Sequence, residues 1–175
     1  MKMDSFFKMS VLAAGMVAGM SANAADTGTL NVTGSLIATS CAVDASSTQE
    51  VDMGTLSAAS FTEVGAISDK QDIVLNLTDC PVSQTGVMFS ANGAADATNN
   101  QLLALSADSA ATGMGIALYN KGGALIPMHE TSAAAPINAE TGVATINLEA
   151  AAMSTAASVT GGAFNATTTF VLSYN

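Results

Sequence analysis

The feature that most constrains the fold of this chain is a series of short segments in which apolar and polar residues alternate. Alternation at period two is typical of a strand with one face in a core and the other in solvent. Gly, Asn, Asp and Ser separate these segments, which together predict an all-β sandwich or barrel. The predicted strands are residues 28–36, 51–54, 73–77, 87–89, 102–105, 115–119, 124–128, 143–148 and 170–174.

Two local patterns refine this prediction. The glycine pair Gly122-Gly123 supplies the positive φ that a tight turn needs, so residues 115–128 are expected to form a hairpin. Residues 149–157 are rich in alanine and are the main candidate for a helix. Because they lack an apolar stripe and contain Ser and Thr, we interpret them as a strand end followed by a loop.

The first 24 residues have the pattern of an export signal. Lys2 and Lys8 are the positive charges, residues 11–20 form an apolar run, and Ala22-Asn23-Ala24 is a small-residue cleavage site. The run has about half of the twenty residues that a membrane-spanning helix needs. We therefore expect residues 1–24 to be a signal peptide, with no membrane span elsewhere in the chain.

The charge of the chain is strongly acidic, with a formal net charge of −10. Only two of its four basic residues, Lys70 and Lys121, lie after the predicted signal peptide. A surface of this kind disfavours nucleic acid and anionic membranes as partners, and it helps to keep an exported protein soluble.

Cys41 and Cys80 are the two cysteines of the chain. In an exported protein such a pair most simply forms a disulfide, which would stabilise the fold by roughly 4 kcal/mol in the chain-entropy model. Two cysteines and the single histidine, His129, are too few for a structural zinc site. We expect neither a metal nor another cofactor.

Catalytic patterns are weak. His129 has Glu130 beside it and Ser132 nearby, but adjacent strand residues point to opposite faces. A G-x-S-x-G nucleophile elbow is not found in the sequence. The expected class is therefore a non-enzyme.

The two ends of the mature chain carry strand patterns that lack an evident partner. Phe170, Leu172 and Tyr174 share one face of the last predicted strand. An exposed edge strand can pair with another chain, and strand addition is an established recognition mode. The ends thus suggest a subunit that polymerises by exchanging strands. The residues that share one face of the N-terminal segment are Gly28, Leu30, Val32, Gly34 and Leu36.

Several short motifs in a fixed order resemble the subunits of chaperone–usher fimbriae, especially the major subunits of type 1-like pili. Gly162 lies 14 residues from the end, counting Asn175 as one, and Tyr174 is penultimate, as in the C-terminal segment of that family. The remaining motifs are residues 28–37 with their central Gly34, Cys41-Ala42-Val43-Asp44, Val51-Asp52-Met53-Gly54-Thr55-Leu56, and Leu75-Asn76-Leu77-Thr78-Asp79-Cys80.

The resemblance implies an incomplete immunoglobulin-like sandwich that a strand from a neighbouring subunit completes. Residues 25–37 would be the donor extension and residues 38–175 the pilin domain. The resemblance also implies a periplasmic chaperone, an outer-membrane usher and a place in a fimbrium at the cell surface. The acceptor positions that it implies are Gly162, Phe170, Leu172 and Tyr174.

Two other functions remain open at the level of sequence. One is a minor or tip-associated pilus subunit, and the other is a secreted sandwich that binds carbohydrate. Sugar sites usually contain aromatic platforms, whereas this chain has no Trp, and both of its tyrosines lie in predicted strands. A shaft subunit of the pilus, supporting cell adhesion, is the preferred interpretation.

Overall fold

The computed structural model describes Thr33, residues 40–48 and residues 50–175. The predicted signal peptide, and the predicted donor extension apart from Thr33, lie outside these residues. Within the described part, no helix is long and apolar enough to cross a membrane.

Eight strands make up the regular structure of the described residues, and one short 3₁₀ turn covers Ala58–Ser60. Two sheets result, as the alternating segments predict. The strands are β1 (Ala42–Val43), β2 (Gln71–Thr78), β3 (Gly86–Ala91), β4 (Met114–Asn120), β5 (Leu125–Ile126), β6 (Ala135–Pro136), β7 (Ala144–Ser154) and β8 (Phe170–Tyr174).

The larger sheet has five antiparallel strands in the order β1-β2-β7-β4-β5. Leu75 of β2 faces Ile146 of β7 across the ladder, and Ala150 of β7 faces Leu118 of β4. All four side chains are buried in the main core. The core therefore lies on one face of this sheet, as period-two alternation requires.

The smaller sheet has three antiparallel strands in the order β6-β3-β8, which leaves β8 at an edge. Leu172 pairs with the buried Phe89, and Tyr174 pairs with the buried Val87. Phe170 follows the same face but is 36% exposed. The prediction that these three residues of β8 share a face is confirmed, and their incomplete burial reflects the edge position.

The alanine-rich stretch after Leu148 was predicted to end the strand, and that prediction is wrong in its boundary. Strand β7 continues to Ser154. Ala150 and Ala152 pack in the main core, while Ala151 belongs to a second cluster with Leu102 and others on the opposite face. Both faces of β7 are covered here, so small side chains fit and burial outweighs their low strand propensity.

Residues 51–54 do not form the predicted strand. Val51 and Met53 still alternate inward, but the segment has no strand partner among the described residues. Gly54 has a φ of +65°, and its N–H donates to Oδ1 of Asp52 at 2.8 Å. This local turn ends the extended run and prevents a regular ladder.

Residues 102–105 are also not a strand, contrary to the prediction. Leu103 exchanges two backbone hydrogen bonds with Ile116, of 2.8 and 2.9 Å, and forms only isolated bridges. Leu102 packs in the second cluster, on the opposite face of the larger sheet, whereas Leu103 packs in the main core. The side chains of this segment are buried on two opposite sides, so its sequence is a continuous apolar run. Such a run resembles that of a buried strand.

The predicted hairpin and the predicted disulfide are both confirmed. Strands β4 and β5 pair around a turn in which Gly122 has a φ of +62°. Cys41 is bonded to Cys80, which joins the start of β1 to the residues after β2. The bond closes the loop between two chain positions that are 39 residues apart.

Candidate functional site

An open groove lies between two extended segments of the sandwich. One wall consists of residues 50–56, and the other consists of residues 162–168, just before β8. The groove has a volume of about 940 Å³. Its floor is formed by apolar side chains from the larger sheet and from one loop, namely Ile73, Leu103, Ile116, Leu118 and Ala150.

Within the part of the chain that the structure describes, the C-terminal wall is hydrogen-bonded along one side only. The carbonyl of Ala163 accepts from Ala110 at 2.8 Å, and the carbonyl of Asn165 accepts from Ser106 at 2.8 Å. Thr169 continues the pattern by accepting from Asn92 at 2.7 Å, and β3 then pairs with β8. The opposite side of this wall faces the groove.

The N-terminal wall is equally short of partners. Residues 50–56 make no backbone–backbone hydrogen bond with any described residue, and no such bond crosses the groove. Val51, Met53 and Leu56 are half-buried and pack against the main core. Unpaired backbone beside apolar side chains is the arrangement that an added strand satisfies.

The polarity of the groove restricts what it can bind. Glu50 and Asp52 are the charged residues of its lining, and both belong to the wall formed by residues 50–56. Phe164 and Ala166 present half-buried apolar surface from the C-terminal wall. An uncharged, extended peptide with alternating apolar residues fits these walls better than an anion does. Among the described residues, no group of side chains could hold a metal ion.

Gly162 has a steric reason to be glycine. A Cβ at this position would lie 2.8 Å from both the backbone carbon and Cβ of Ala110. The C-terminal wall begins here with close contact between two backbones, which a side chain would force apart.

The residues predicted from the sequence occupy two consecutive parts of one segment. Gly162 lines the groove, whereas Phe170, Leu172 and Tyr174 lie beyond its lining residues on β8. The predicted donor positions Gly28, Leu30, Val32, Gly34 and Leu36 are outside the described residues.

Sequence reasoning missed the identity of the groove floor and the opposite wall. The floor residues come from three strands and one loop, and only the sheet topology brings them together. The half-buried alternation of Val51 and Met53 was the available signal for the opposite wall, but it was interpreted as an ordinary strand.

A charged cluster lies on the outer face of the larger sheet. Lys70 Nζ is 3.0 Å from Glu149 and 3.8 Å from the centre of the Tyr119 ring. Lys121 contacts Glu149 at 3.4 Å and also pairs with Asp72. The cluster thus places both lysines beside carboxylates.

Hydrogen bonds and burial shift the titration of this cluster. The hydrogen bond from Lys70 lowers the pKa of Glu149, and the hydrogen bond to Asp72 raises the pKa of Lys121. Burial raises the pKa of Tyr119. Glu149 is charged at neutral pH, and the ion pairs of the cluster connect β7 and the start of β2 with Lys121, which follows β4.

Solved structures define the class of protein to which this fold belongs. The P pilus rod subunit superposes with a TM-score of 0.63 at 23% identity, over 77% of this chain and 99% of that chain. A type I fimbria protein of Burkholderia pseudomallei gives a TM-score of 0.60 at 30% identity, over 79% of this chain and 91% of that chain. The fold is therefore the immunoglobulin-like fold of pilus subunits.

The sequence model of the fimbrial protein family matches residues 30–175, and the chain belongs to this family. Long polar fimbria protein A of Salmonella typhimurium is 31% identical, over 96% of this chain and 94% of the relative. The A chain of type-1 fimbrial protein from Escherichia coli K12 is 33% identical, over 84% of this chain and 83% of the relative.

Family and fold together assign the role of the chain. It is a structural subunit of a pilus, which is an extracellular polymer. The alternative of a carbohydrate-binding module or tip-associated subunit is not favoured, since the family model is that of fimbrial proteins and the relatives include a probable major fimbrial subunit of Escherichia coli O157:H7, 31% identical over 84% of this chain and 83% of the relative.

Proposed function

We propose that copies of this subunit polymerise by strand exchange, with residues 28–37 of one copy filling the groove of the next. The single observation that carries this proposal is the groove itself. Its two walls, residues 50–56 and 162–168, face the same cleft with backbone groups that have no partner among the described residues. A strand inserted there would pair with both walls and convert an incomplete sandwich into a closed one.

The chemistry of the proposed donor agrees with the chemistry of the groove. Residues 28–37 contain no charged side chain, and the apolar residues Leu30, Val32 and Leu36 share one face. Full burial of each would stabilise the complex by roughly 1.5–3 kcal/mol. Gly34 shares that face without a side chain, so it suits a close approach to the acceptor core.

A subunit whose groove is not filled would be prone to aggregate before assembly, and this supports a role for a chaperone. Unpaired strand edges beside apolar surface promote aggregation. A periplasmic chaperone that lends a strand to the C-terminal segment would protect the subunit, and an outer-membrane usher would pass it to the fibre. The export signal pattern of residues 1–24 is consistent with this route to the cell surface.

Peptide binding tests the exchange step directly. The acceptor is the mature chain with Leu30→Asp and Val32→Asp, which disable its own extension. A synthetic peptide of residues 28–37 should raise the melting temperature of this acceptor in proportion to the logarithm of peptide concentration. The control peptide carries the same two aspartates and should have no effect. Equal stabilisation by both peptides, or by neither, would contradict strand exchange.

Fibre assembly tests the same proposal in the cell. Deleting residues 25–35 should leave a subunit that accepts a strand but cannot donate one. Electron microscopy should then find no fibres from the deleted protein alone. Fibres of normal length would contradict the proposed donor.

Chaperone recognition is tested at the last strand. Tyr174→Ser removes a large apolar surface from β8 but keeps its backbone ladder, so less subunit should co-purify with the cognate chaperone. Val171→Ser is the matched control, since Val171 lies on the opposite face of β8 and is 54% exposed. Equal recovery of the two variants would remove Tyr174 from the recognition strand.

A further inference from the structure

Of the methionines that the structure describes, Met53 is the one that lines the groove. It lies in the wall of residues 50–56, and its half-buried side chain packs against the main core. Its thioether therefore stands where the proposed donor strand would enter. The other methionines after the predicted signal peptide lie outside the groove lining, namely Met88, Met114, Met128 and Met153.

The wall that carries Met53 is held mainly by side-chain packing. Residues 50–56 make no backbone–backbone hydrogen bond with any described residue. A segment with few backbone hydrogen bonds opens locally at a low cost in free energy. We therefore expect a small oxidant to reach the sulfur of Met53, whereas Met114 and Met128, each 5% exposed, are shielded by the core.

Peroxides oxidise methionine at the sulfur atom. The O–O bond of hydrogen peroxide breaks, one oxygen forms a bond to sulfur, and the other leaves with both hydrogens as water. The sulfur loses two electrons and the peroxide gains them. The product is a sulfoxide, a polar group that methionine sulfoxide reductases convert back to the thioether.

A sulfoxide at position 53 would conflict with a strand in the groove. If the strand covers the new oxygen and leaves it without a hydrogen bond, burial of this polar atom weakens binding. If the oxygen accepts from a backbone N–H of the wall, it occupies a donor that the strand needs. The floor supplies no side-chain donor, because it consists of Ile73, Leu103, Ile116, Leu118 and Ala150.

Resting on the proposed function, we propose that Met53 is an oxidation site that controls entry into the groove. Peroxide converts Met53 to the sulfoxide in a subunit whose groove is not filled, and the sulfoxide weakens strand addition. A strand already in the groove covers Met53 and protects it. Oxidation thus stops further addition without breaking the contacts already made.

Peptide mapping measures whether a strand covers Met53. The acceptor of the peptide-binding experiment above is treated with hydrogen peroxide, with and without the peptide of residues 28–37. Trypsin then cuts the reduced chain after its two lysines, and Met53 is the single methionine of the first fragment, residues 25–70. With peptide at about ten times its dissociation constant, oxidation of this fragment should slow by about tenfold, because about a tenth of the grooves remain unfilled.

The other two fragments provide internal controls. Each contains one half-buried methionine outside the groove lining, Met88 in one fragment and Met153 in the other. Their oxidation rates should be the same with and without peptide. The mapping uses the unsubstituted methionine, so its result does not depend on how a variant at position 53 folds.

Peptide affinity measures the consequence of oxidation. Fluorescence anisotropy of the labelled peptide, which contains no methionine, compares each protein with its own untreated sample. Oxidation should weaken binding by about tenfold, and reductases for both sulfoxide epimers should restore it. Met53→Leu keeps an apolar side chain of similar volume and should show the same affinity before and after peroxide. Met88→Leu is the matched control and should show the full loss.

Several outcomes would overturn this inference. Equal oxidation of Met53 with and without peptide would mean that no strand covers it. Unchanged affinity after complete oxidation of Met53, or a loss that persists in Met53→Leu, would mean that its sulfoxide does not control the groove. Failure of the proposed function would be visible separately: if the untreated acceptor bound no peptide, strand exchange would fail, and the role of Met53 would fail with it.

Discussion

The centre of the larger sheet and the C-terminal segment differ in how completely their backbones are paired. Strand β7 has β2 on one side and β4 on the other, and alanines let both of its faces be covered. Residues 162–174 are hydrogen-bonded on one side, and part of their other side borders an open groove. The comparison teaches that, among the described residues, the backbone is paired on both sides at the centre of the larger sheet but on one side only in the C-terminal segment. The proposed strand exchange would use this second, partly paired region.

The disulfide lies at the β1 edge of the larger sheet, away from the groove walls, and its loss should have the largest effect. Cys41→Ser removes a cross-link over 39 positions and should lower the free energy of unfolding by about 4 kcal/mol in the chain-entropy model. Denaturant unfolding of the mature chain, with its groove filled by peptide, measures this loss. Cys80→Ser is the matched control and should lose the same amount. Two free thiols in assembled wild-type material would refute the bond.

A pair of alanine substitutions tests whether the two regions respond differently to a filled groove. Leu148, on β7, is 1% exposed, so Leu148→Ala should cost about 3 kcal/mol whether or not peptide is bound. Phe164, in the C-terminal wall, is half-buried in the empty subunit. Phe164→Ala should therefore cost about 1 kcal/mol without peptide and more with it. Denaturant unfolding with and without peptide measures both. An equal change on filling for both variants would contradict the comparison.

Two adjacent glycines test how tightly the C-terminal wall is held on its paired side. Gly162→Ala would bring a Cβ to 2.8 Å from Ala110 and should destabilise the domain by about 1–3 kcal/mol. It should also weaken peptide binding, because the wall shifts. Gly161→Ala meets no atom within 4 Å and is the matched control. Thermal unfolding and peptide titration of both variants would decide. Identical behaviour would mean that the contact at Gly162 is not restrictive.

The sequence was informative where one physical signal dominated. Alternation predicted β2, β3, β4 and β8, and the glycine pair at Gly122 predicted the β4–β5 turn. The cysteine count in an exported chain was enough to predict the disulfide. Alternation and turn glycines are local signals, and two cysteines can pair within one chain in only one way.

Prediction failed where burial came from several directions or where a partner was absent. Leu102 and Leu103 are apolar because they enter two clusters, so their run resembled a strand. Residues 51–54 alternate as a strand does, but no described strand pairs with them. The groove floor and the hydrogen bond from the Cys41 N–H to the Tyr174 hydroxyl depend on chain crossings that no local pattern encodes.

The smallest expected effect concerns the charged cluster on the outer face of the larger sheet. The hydrogen bond from Lys70 lowers the pKa of Glu149 from its usual value of 4.5. A group with a lowered folded-state pKa contributes stability above its unfolded-state pKa, and that contribution disappears as the pH falls through the folded-state value. The charged groups that face Glu149 or its lysine partners are Lys70, Lys121 and Asp72. Stability should therefore decrease as the pH falls below about 4.5.

Glu149→Gln should flatten this acid decline because it removes the titrating carboxylate while keeping the side-chain shape. At neutral pH the variant should be slightly less stable than the wild type, since both lysines lose an ionic partner. Glu140→Gln, in the exposed turn before β7, is the matched control and should retain the wild-type slope. Thermal unfolding at pH 7, 5, 4 and 3 provides the comparison. If the melting temperature of Glu149→Gln fell with pH as steeply as that of the wild type, the cluster would add nothing to stability. The stability of the larger sheet would then rest on apolar packing and backbone pairing alone.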